Sequence, residues 1–145
     1  MITQYCTFYV GGLFFGVNVL KVQEVIRHQH MTRVPLAPRM VRGLINLRGQ
    51  IVTAIDMRSR LELAPFPEDF HAMNVVLRLE DCSLSMLVDE IGDVIHVKPE
   101  SYERTPDNLV GPARQLVKNV CKLDNILMLI LAEERLWNIG ENKAA

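Results

Sequence analysis

Histidines and cysteines are the residues of this sequence with the clearest potential for metal or thiol chemistry. His28 and His30 are separated by one residue, so an extended backbone would project both imidazoles to one side, as half of a metal site. His71 and His96 lie far away in the sequence, and no carboxylate or cysteine cluster completes a ligand set. We therefore expect loop histidines and no metal centre.

A cysteine nucleophile would need a neighbouring base to activate it. Cys6, Cys82 and Cys121 are widely spaced, lack a C-x-x-C pattern and have no adjacent histidine. Two of them lie on or beside apolar segments, where a thiol is usually inert packing. We interpret all three as free thiols in a reducing cytoplasm.

Acidic residues gather at one predicted turn, which contains Asp89, Glu90 and Asp93. Such a group can supply an acid–base pair, but a solvated turn is the commoner explanation. The glycines form neither a G-x-G-x-x-G nor a G-x-x-x-x-G-K phosphate loop. The sequence thus predicts no catalytic residues, no cofactor and no enzymatic activity.

Composition indicates an ordinary globular protein, and one without catalytic residues is expected to act by binding. The chain has 145 residues, 49% of them hydrophobic and 23% charged, with a net charge of −1. That balance favours neither nucleic acid nor an anionic membrane as a partner. The longest apolar stretch, Ile126–Ala132, is too short to span a bilayer, and no signal peptide is recognisable. We expect a cytoplasmic protein with no direct membrane insertion.

The central segment of the chain predicts a tight hairpin. Two apolar runs, Leu44–Leu47 and Ile51–Ile55, are separated only by Arg48, Gly49 and Gln50. Gly49 can adopt a positive φ at no steric cost, which suits a strand–turn–strand. The hairpin would hold Arg48 at its tip, where the guanidinium can pair with Glu24 or donate to a partner.

Flanking segments predict more hairpins and an internal repeat. Gln4–Val10 and Leu13–Val17 surround a Gly-Gly turn, and Asn18 is placed to cap a short helix whose apolar residues follow helical spacing. Apolar positions of this region match others about seventy residues later, so Val19 and Val22 correspond to Val88 and Ile91. The pattern predicts an all-β fold of two similar small barrels side by side, covering about residues 1–66 and 67–145. The two matching sets would line a shared groove for an amphipathic helix.

The same central segment carries a family resemblance. Arg42-Gly43, Asn46-Leu47-Arg48-Gly49 and Ile51-Val52 with Ile55-Asp56 resemble, in order and spacing, the CheW family of bacterial chemotaxis coupling proteins. Residues 16–26, 32–35 and 87–94 extend the resemblance over nearly the whole chain. It implies one domain of two SH3-like five-stranded β-barrels, with an N-terminal strand able to exchange between them.

The resemblance also implies a function and a binding site. It predicts an adaptor that joins the helical cytoplasmic tip of methyl-accepting chemoreceptors to the regulatory domain of a CheA-type histidine kinase, within membrane-associated receptor arrays. It places receptor-binding residues at Val19, Val22, Glu24, Gly43, Arg48, Val88, Ile91 and Val94. It does not identify the residues that contact the kinase.

The sequence departs from the family pattern at three places, which leaves the pathway open, and a competing role is a second alternative. Thr53 stands where the family usually has proline, Asn119 where glycine is common, and Ala132-Glu133 replaces an acidic-then-apolar strand end. One alternative is a CheW-like regulator of a parallel chemosensory pathway that controls pili, surface sensing or biofilm. The other is a competitor that occupies the kinase face without bridging to receptors.

Overall fold

A computed structural model describes residues 1–137, which are built from strands joined by turns and very short helices. The strands are β1 (Thr3–Val10), β2 (Leu13–Asn18), β3 (Val22–Ile26), β4 (Val41–Leu47), β5 (Gln50–Asp56), β6 (Met73–Arg78), β7 (Ser83–Val88), β8 (Glu90–Val97), β9 (Tyr102–Glu103), β10 (Val117–Lys122) and β11 (Leu127–Leu131). The helices are α1 (Met57–Arg60) and α2 (Pro112–Gln115), with 3-10 turns at Val19–Lys21, Pro99–Ser101 and Glu133–Arg135.

These strands form two sheets. The first sheet has the order β8-β1-β2-β11-β10-β9 and the second has the order β3-β6-β7-β5-β4. Each combines antiparallel hairpins with one parallel pair, β2 with β11 in the first and β5 with β7 in the second. The predicted all-β fold of two small subdomains packed side by side is confirmed.

Strand membership crosses the predicted division of the chain near residue 66. The first sheet joins β1 and β2 to strands that all follow residue 89, and the second joins β3, β4 and β5 to β6 and β7. Four pairings join the two halves of the chain: the parallel pairs β2–β11 and β5–β7 and the antiparallel pairs β1–β8 and β3–β6. Neither sheet is therefore built from one half alone.

A central core lies between the sheets. In β1, Phe8 and Val10 belong to this core, while Tyr5 contacts a smaller cluster on the other side of the first sheet. The second sheet behaves alike, since Ile55 faces the central core and Val52 an outer cluster. This alternation follows the two-residue period of a strand and explains why both sheets are apolar on both faces.

The prediction of a helix after Asn18 is wrong. The Asn18 side chain does cap a turn, since its Oδ1 accepts from the backbone N–H of Leu20 at 2.9 Å, but only one 3-10 turn follows. From Val22 the chain is β3, which pairs with β6 and shifts register between Val22 and Glu24. The extra residue of such a bulge gives apolar spacing like that of a helix, while β-branched side chains favour the strand.

Arg60, the last residue of α1, is a buried cation that the sequence did not single out. Its Nε donates to the carbonyl of Leu136 at 2.9 Å and its Nη2 to that of Arg135 at 3.0 Å. Burial lowers the pKa of this guanidinium from its usual value. Arg60 thereby joins α1 to the turn that follows the last strand.

Candidate binding surface

The β4–β5 hairpin presents Arg48 on a two-residue turn. Leu47 pairs with Gln50, and the intervening Arg48 and Gly49 have φ values of 51° and 86°. Positive φ at both positions is the signature of a type I′ turn, which matches the twist of the flanking strands. The Asn46 Oδ1 accepts from the Gly49 N–H at 3.0 Å and supports this conformation. An arginine in the left-handed region is uncommon, and such residues often mark functional positions.

Arg48 forms a two-pronged ion pair with Glu24. Its Nη1 and Nη2 donate to the two carboxylate oxygens at 2.6 and 2.7 Å. The pair joins β3, one edge of the second sheet, to the turn at the opposite edge. The hydrogen bonds from Arg48 lower the pKa of Glu24, so the carboxylate stays charged at neutral pH. The guanidinium is 74% exposed, so its remaining donors can meet a partner.

A second polar connection runs beside this ion pair. Gln50 Nε2 donates to Ser83 Oγ at 3.0 Å, and Ser83 Oγ donates to Gln23 Oε1 at 3.5 Å. These residues belong to β5, β7 and β3, which are distant in sequence. No sequence pattern indicated this connection, because it depends on strand order. Together with Glu24 and Arg48 it fixes one end of the second sheet.

The apolar residues predicted to bind the receptor differ in how exposed they are. Val19 and Val22 are half-buried, and Val22 packs against the central core together with Ile91. Val94 is 50% exposed and lies across from Cys6 on β1. Val88 has no exposed surface and belongs to the central core, so its prediction as a contact residue is wrong. All of β7 is buried, because its edges pair with β6 and β5 and its two faces pack against the central core and the outer cluster.

Gly43 is buried beneath the loop that follows β3. Thr32 exchanges two backbone hydrogen bonds with Leu44, at 2.9 and 2.8 Å, and its carbonyl covers Gly43. A Cβ atom on Gly43 would lie 2.6 Å from the Thr32 oxygen. Gly43, predicted as a receptor-binding residue, is thus in close contact with this chain's own backbone.

The acidic turn contains an ion pair that the sequence did not predict. Arg58 Nε and Nη2 donate to the Asp89 carboxylate at 3.0 and 2.6 Å, and the Gly11 N–H donates to it at 3.0 Å. Burial would raise the pKa of Asp89, but the Arg58 and Gly11 hydrogen bonds outweigh burial and lower it. Asp89 therefore links α1, the β1–β2 turn and the start of β8.

Replacing Asp89 with asparagine is expected to lower the free energy of unfolding by about 1–2 kcal/mol near neutral pH. Because the folded-state pKa is depressed, the carboxylate stabilises the fold above its ordinary value of 3.8 and ceases to do so as the pH falls through the folded value. The difference between wild type and variant should shrink in acid. Urea unfolding at about pH 7 and about pH 2 measures it.

Asp93→Asn serves as the control for that comparison, because Asp93 is exposed and has no ion pair among residues 1–137. We expect its stability to match wild type at both pH values. A pH-independent difference for Asp89→Asn would contradict the ionic role assigned to Asp89.

The other residues considered for chemistry are scattered. His28 stacks on His71 with ring centroids 4.7 Å apart, and burial followed by the charges of His71 and Arg42 lowers the pKa of His28. Within residues 1–137 no three histidine, cysteine or acidic side chains are grouped to hold a metal. Burial raises the pKa of Cys6, and burial with a contribution from Glu103 raises the pKa of Cys121, which disfavours a thiolate at either position.

No helix within residues 1–137 has the length and apolarity needed to cross a bilayer.

Comparisons with known proteins agree on one family. The family model of the CheW-like domain matches residues 4–140. The chemotaxis protein CheW of Treponema pallidum is 26% identical over 142 residues, which cover 95% of this chain and 84% of that protein. CheW of Bacillus subtilis is 29% identical over 86% of this chain and 80% of its own length.

A solved structure has the same fold. The crystal structure of the scaffolding protein TtCheW from Thermoanaerobacter tengcongensis superimposes with a TM-score of 0.86, at 22% identity, over 96% of this chain and 94% of that one. The family model spans nearly the whole sequence, and the resemblance recognised in the central hairpin is confirmed. The chain belongs to the CheW-like domain family.

Proposed function

We propose that this protein is a non-catalytic adaptor that couples the cytoplasmic tips of chemoreceptors to a CheA-type histidine kinase. Membership of the CheW-like family supports a role in chemosensory assembly. The observation that carries the proposal is the Glu24–Arg48 ion pair, which holds an exposed guanidinium at the end of the second sheet.

The receptor side of the proposal combines charge with apolar surface. Val22 lies two residues before Glu24 on β3 and is half-buried, and Ile51 near the hairpin tip is 59% exposed. An amphipathic helix is recognised by apolar anchors flanked by directed hydrogen bonds, and this region offers both. Val19, Ile91 and Val94 extend the proposed surface, whereas Val88 is left out of it.

The mechanism is one of fixed geometry. A receptor tip has more than one conformation. An adaptor that binds the tip and the kinase together converts a shift between these conformations into a change of kinase activity. The continuous core between the two sheets suits this role, because close-packed interiors transmit strain. The adaptor contributes binding energy and orientation, and the kinase carries out the chemistry.

Binding measurements with purified components test the proposal. We expect the protein to bind both a soluble helical hairpin of the receptor tip and the kinase regulatory domain at micromolar concentrations, and to form a ternary complex. Binding to neither would contradict the proposal. Binding to the kinase domain alone would contradict the coupling role and favour a competitor that occupies the kinase face.

A further inference from the structure

A polar cavity that is partly open to solvent lies in the first subdomain, whereas the Glu24–Arg48 surface belongs to the second sheet. Its volume is about 160 Å³, and its polar lining comes from Tyr5, Asn18, Tyr102, Lys118, Asn119 and Glu133. Ile130 and Leu131 of β11 complete the wall. Three of the lining residues also border a larger open groove of about 510 Å³, which provides a route from solvent.

Glu133 places a carboxyl group without a hydrogen bond at the wall of this cavity. The residue is only 6% exposed, and no donor within residues 1–137 forms a hydrogen bond with its carboxylate. Its nearest cation is Lys118, whose Nζ lies 4.0 Å from Oε2, beyond hydrogen-bond reach. Because the Glu133 oxygens are not among the buried unpaired atoms of residues 1–137, they are accessible from the cavity, where a further donor can bond them. The Lys118 ammonium likewise has unused donors.

Local backbone structure fixes these groups around the cavity. The register of β10 and β11 shifts between Val117 and Asn119, so Lys118 is the extra residue of the strand. The Ala132 N–H donates to the Leu116 carbonyl at 2.7 Å and sets the start of the turn that carries Glu133. A bulge commonly redirects a side chain towards a site.

The tyrosines add a fixed donor to the lining. The hydroxyls of Tyr5 and Tyr102 lie 2.7 Å apart, so one donates to the other and one hydroxyl proton remains available. Burial, the hydrogen bond to Tyr102 and nearby negative groups including Glu133 raise the pKa of Tyr5. The raised pKa keeps the Tyr5 hydroxyl protonated, so a hydroxyl donor is present at the cavity wall.

We propose that this cavity binds a small zwitterion with one ammonium and one carboxylate group, the size of glycine or alanine. The ammonium would donate to Glu133, and the carboxylate would accept from Lys118 and from the free tyrosine hydroxyl. A cavity of about 160 Å³ admits a small molecule of the size of glycine or alanine. A zwitterion leaves the charge of the Glu133–Lys118 pair balanced, whereas an amine or a carboxylate alone does not.

Isothermal titration calorimetry of the full chain with glycine, alanine, ethylammonium and acetate tests the proposal. We expect glycine or alanine to bind with a dissociation constant of about 1 mM and at least tenfold more tightly than ethylammonium or acetate. Glu133→Gln should weaken zwitterion binding at least tenfold. Glu134→Gln is the matched control, because the neighbouring Glu134 is exposed and lies outside the cavity lining, and we expect it to bind as wild type does.

Circular dichroism establishes whether Glu133→Gln is folded. Lys118→Gln changes an exposed position and provides a second variant that should also lose zwitterion binding. Absence of heat with all four probes up to about 10 mM would overturn the proposal and leave a water-filled cavity whose carboxylate Lys118 neutralises. Equal affinity for ethylammonium and alanine, or wild-type binding by both folded variants, would overturn it as well. These outcomes are independent of receptor and kinase binding.

Discussion

Replacing Arg48 with alanine is expected to weaken binding of the receptor tip at least tenfold while leaving the fold intact. The guanidinium is 74% exposed and contacts this chain through Glu24, so its removal deletes a directed donor from the surface and little packing. Exposed ion pairs contribute little to folding stability, and the melting temperature should stay within about 2 °C of wild type. Surface plasmon resonance with the receptor tip and a thermal melt measure the two effects.

Two further variants separate charge from geometry at this position. Arg48→Lys keeps the positive charge but loses the planar fork, so we expect binding between that of wild type and Arg48→Ala. Arg104→Ala removes an exposed arginine from the other subdomain and should leave receptor binding unchanged. A large fall in melting temperature for Arg48→Ala, with a parallel loss of kinase binding, would instead assign Arg48 a structural role.

Gly43→Ala is expected to destabilise the protein by about 3 kcal/mol. The new Cβ would lie 2.6 Å from the Thr32 carbonyl oxygen and 3.1 Å from its carbon, so backbone rather than a flexible side chain must move. That movement would break the pair of hydrogen bonds between Thr32 and Leu44. Urea unfolding measures the loss, and hydrogen exchange of the Thr32 and Leu44 amides should quicken in the variant.

Gly49→Ala is the control within the same hairpin. Gly49 has a φ of 86° but nothing lies within 4 Å of its added Cβ, so the cost is that of the backbone conformation alone, about 1 kcal/mol. We expect the Gly43 variant to be clearly the less stable of the two. A Gly43→Ala protein of normal stability that fails to bind the receptor tip would place Gly43 on the contact surface instead.

Local sequence signals were sufficient for the hairpins and for Arg48. Glycines between apolar runs marked the β1–β2 and β4–β5 turns, and the register Leu47 to Gln50 left Arg48 at the tip as predicted. The pairing with Glu24 could be proposed because a hairpin tip holds the charged Arg48 side chain outside the core, and because Glu24 belongs to the segments that carry the family resemblance. The turns depend on neighbours in sequence, which the sequence displays directly, whereas the Arg48–Glu24 pair joins residues 24 apart at opposite edges of a sheet.

Features that depend on strand order could not be predicted. The helical spacing after Asn18 is the same as that of a bulged strand, and only pairing with β6 distinguishes the two. Val88 was placed on a surface because it corresponds to Val19 in the repeat, whereas its side chain packs into the central core between the sheets. The Arg58–Asp89 pair and the polar cavity join residues from distant strands, so no spacing in the sequence indicates them.

The interleaved strand order has a consequence for how the chain is synthesised. All strands of the second sheet lie between residues 22 and 88, so this sheet can close while the ribosome is still translating the remainder. The β1–β2 hairpin, in contrast, emerges first and must wait for β8 and β11, for a time on the order of ten seconds at ordinary elongation rates. During that interval both edges of the hairpin are unpaired, which makes the nascent N-terminus the segment where we expect chaperone capture or aggregation to begin.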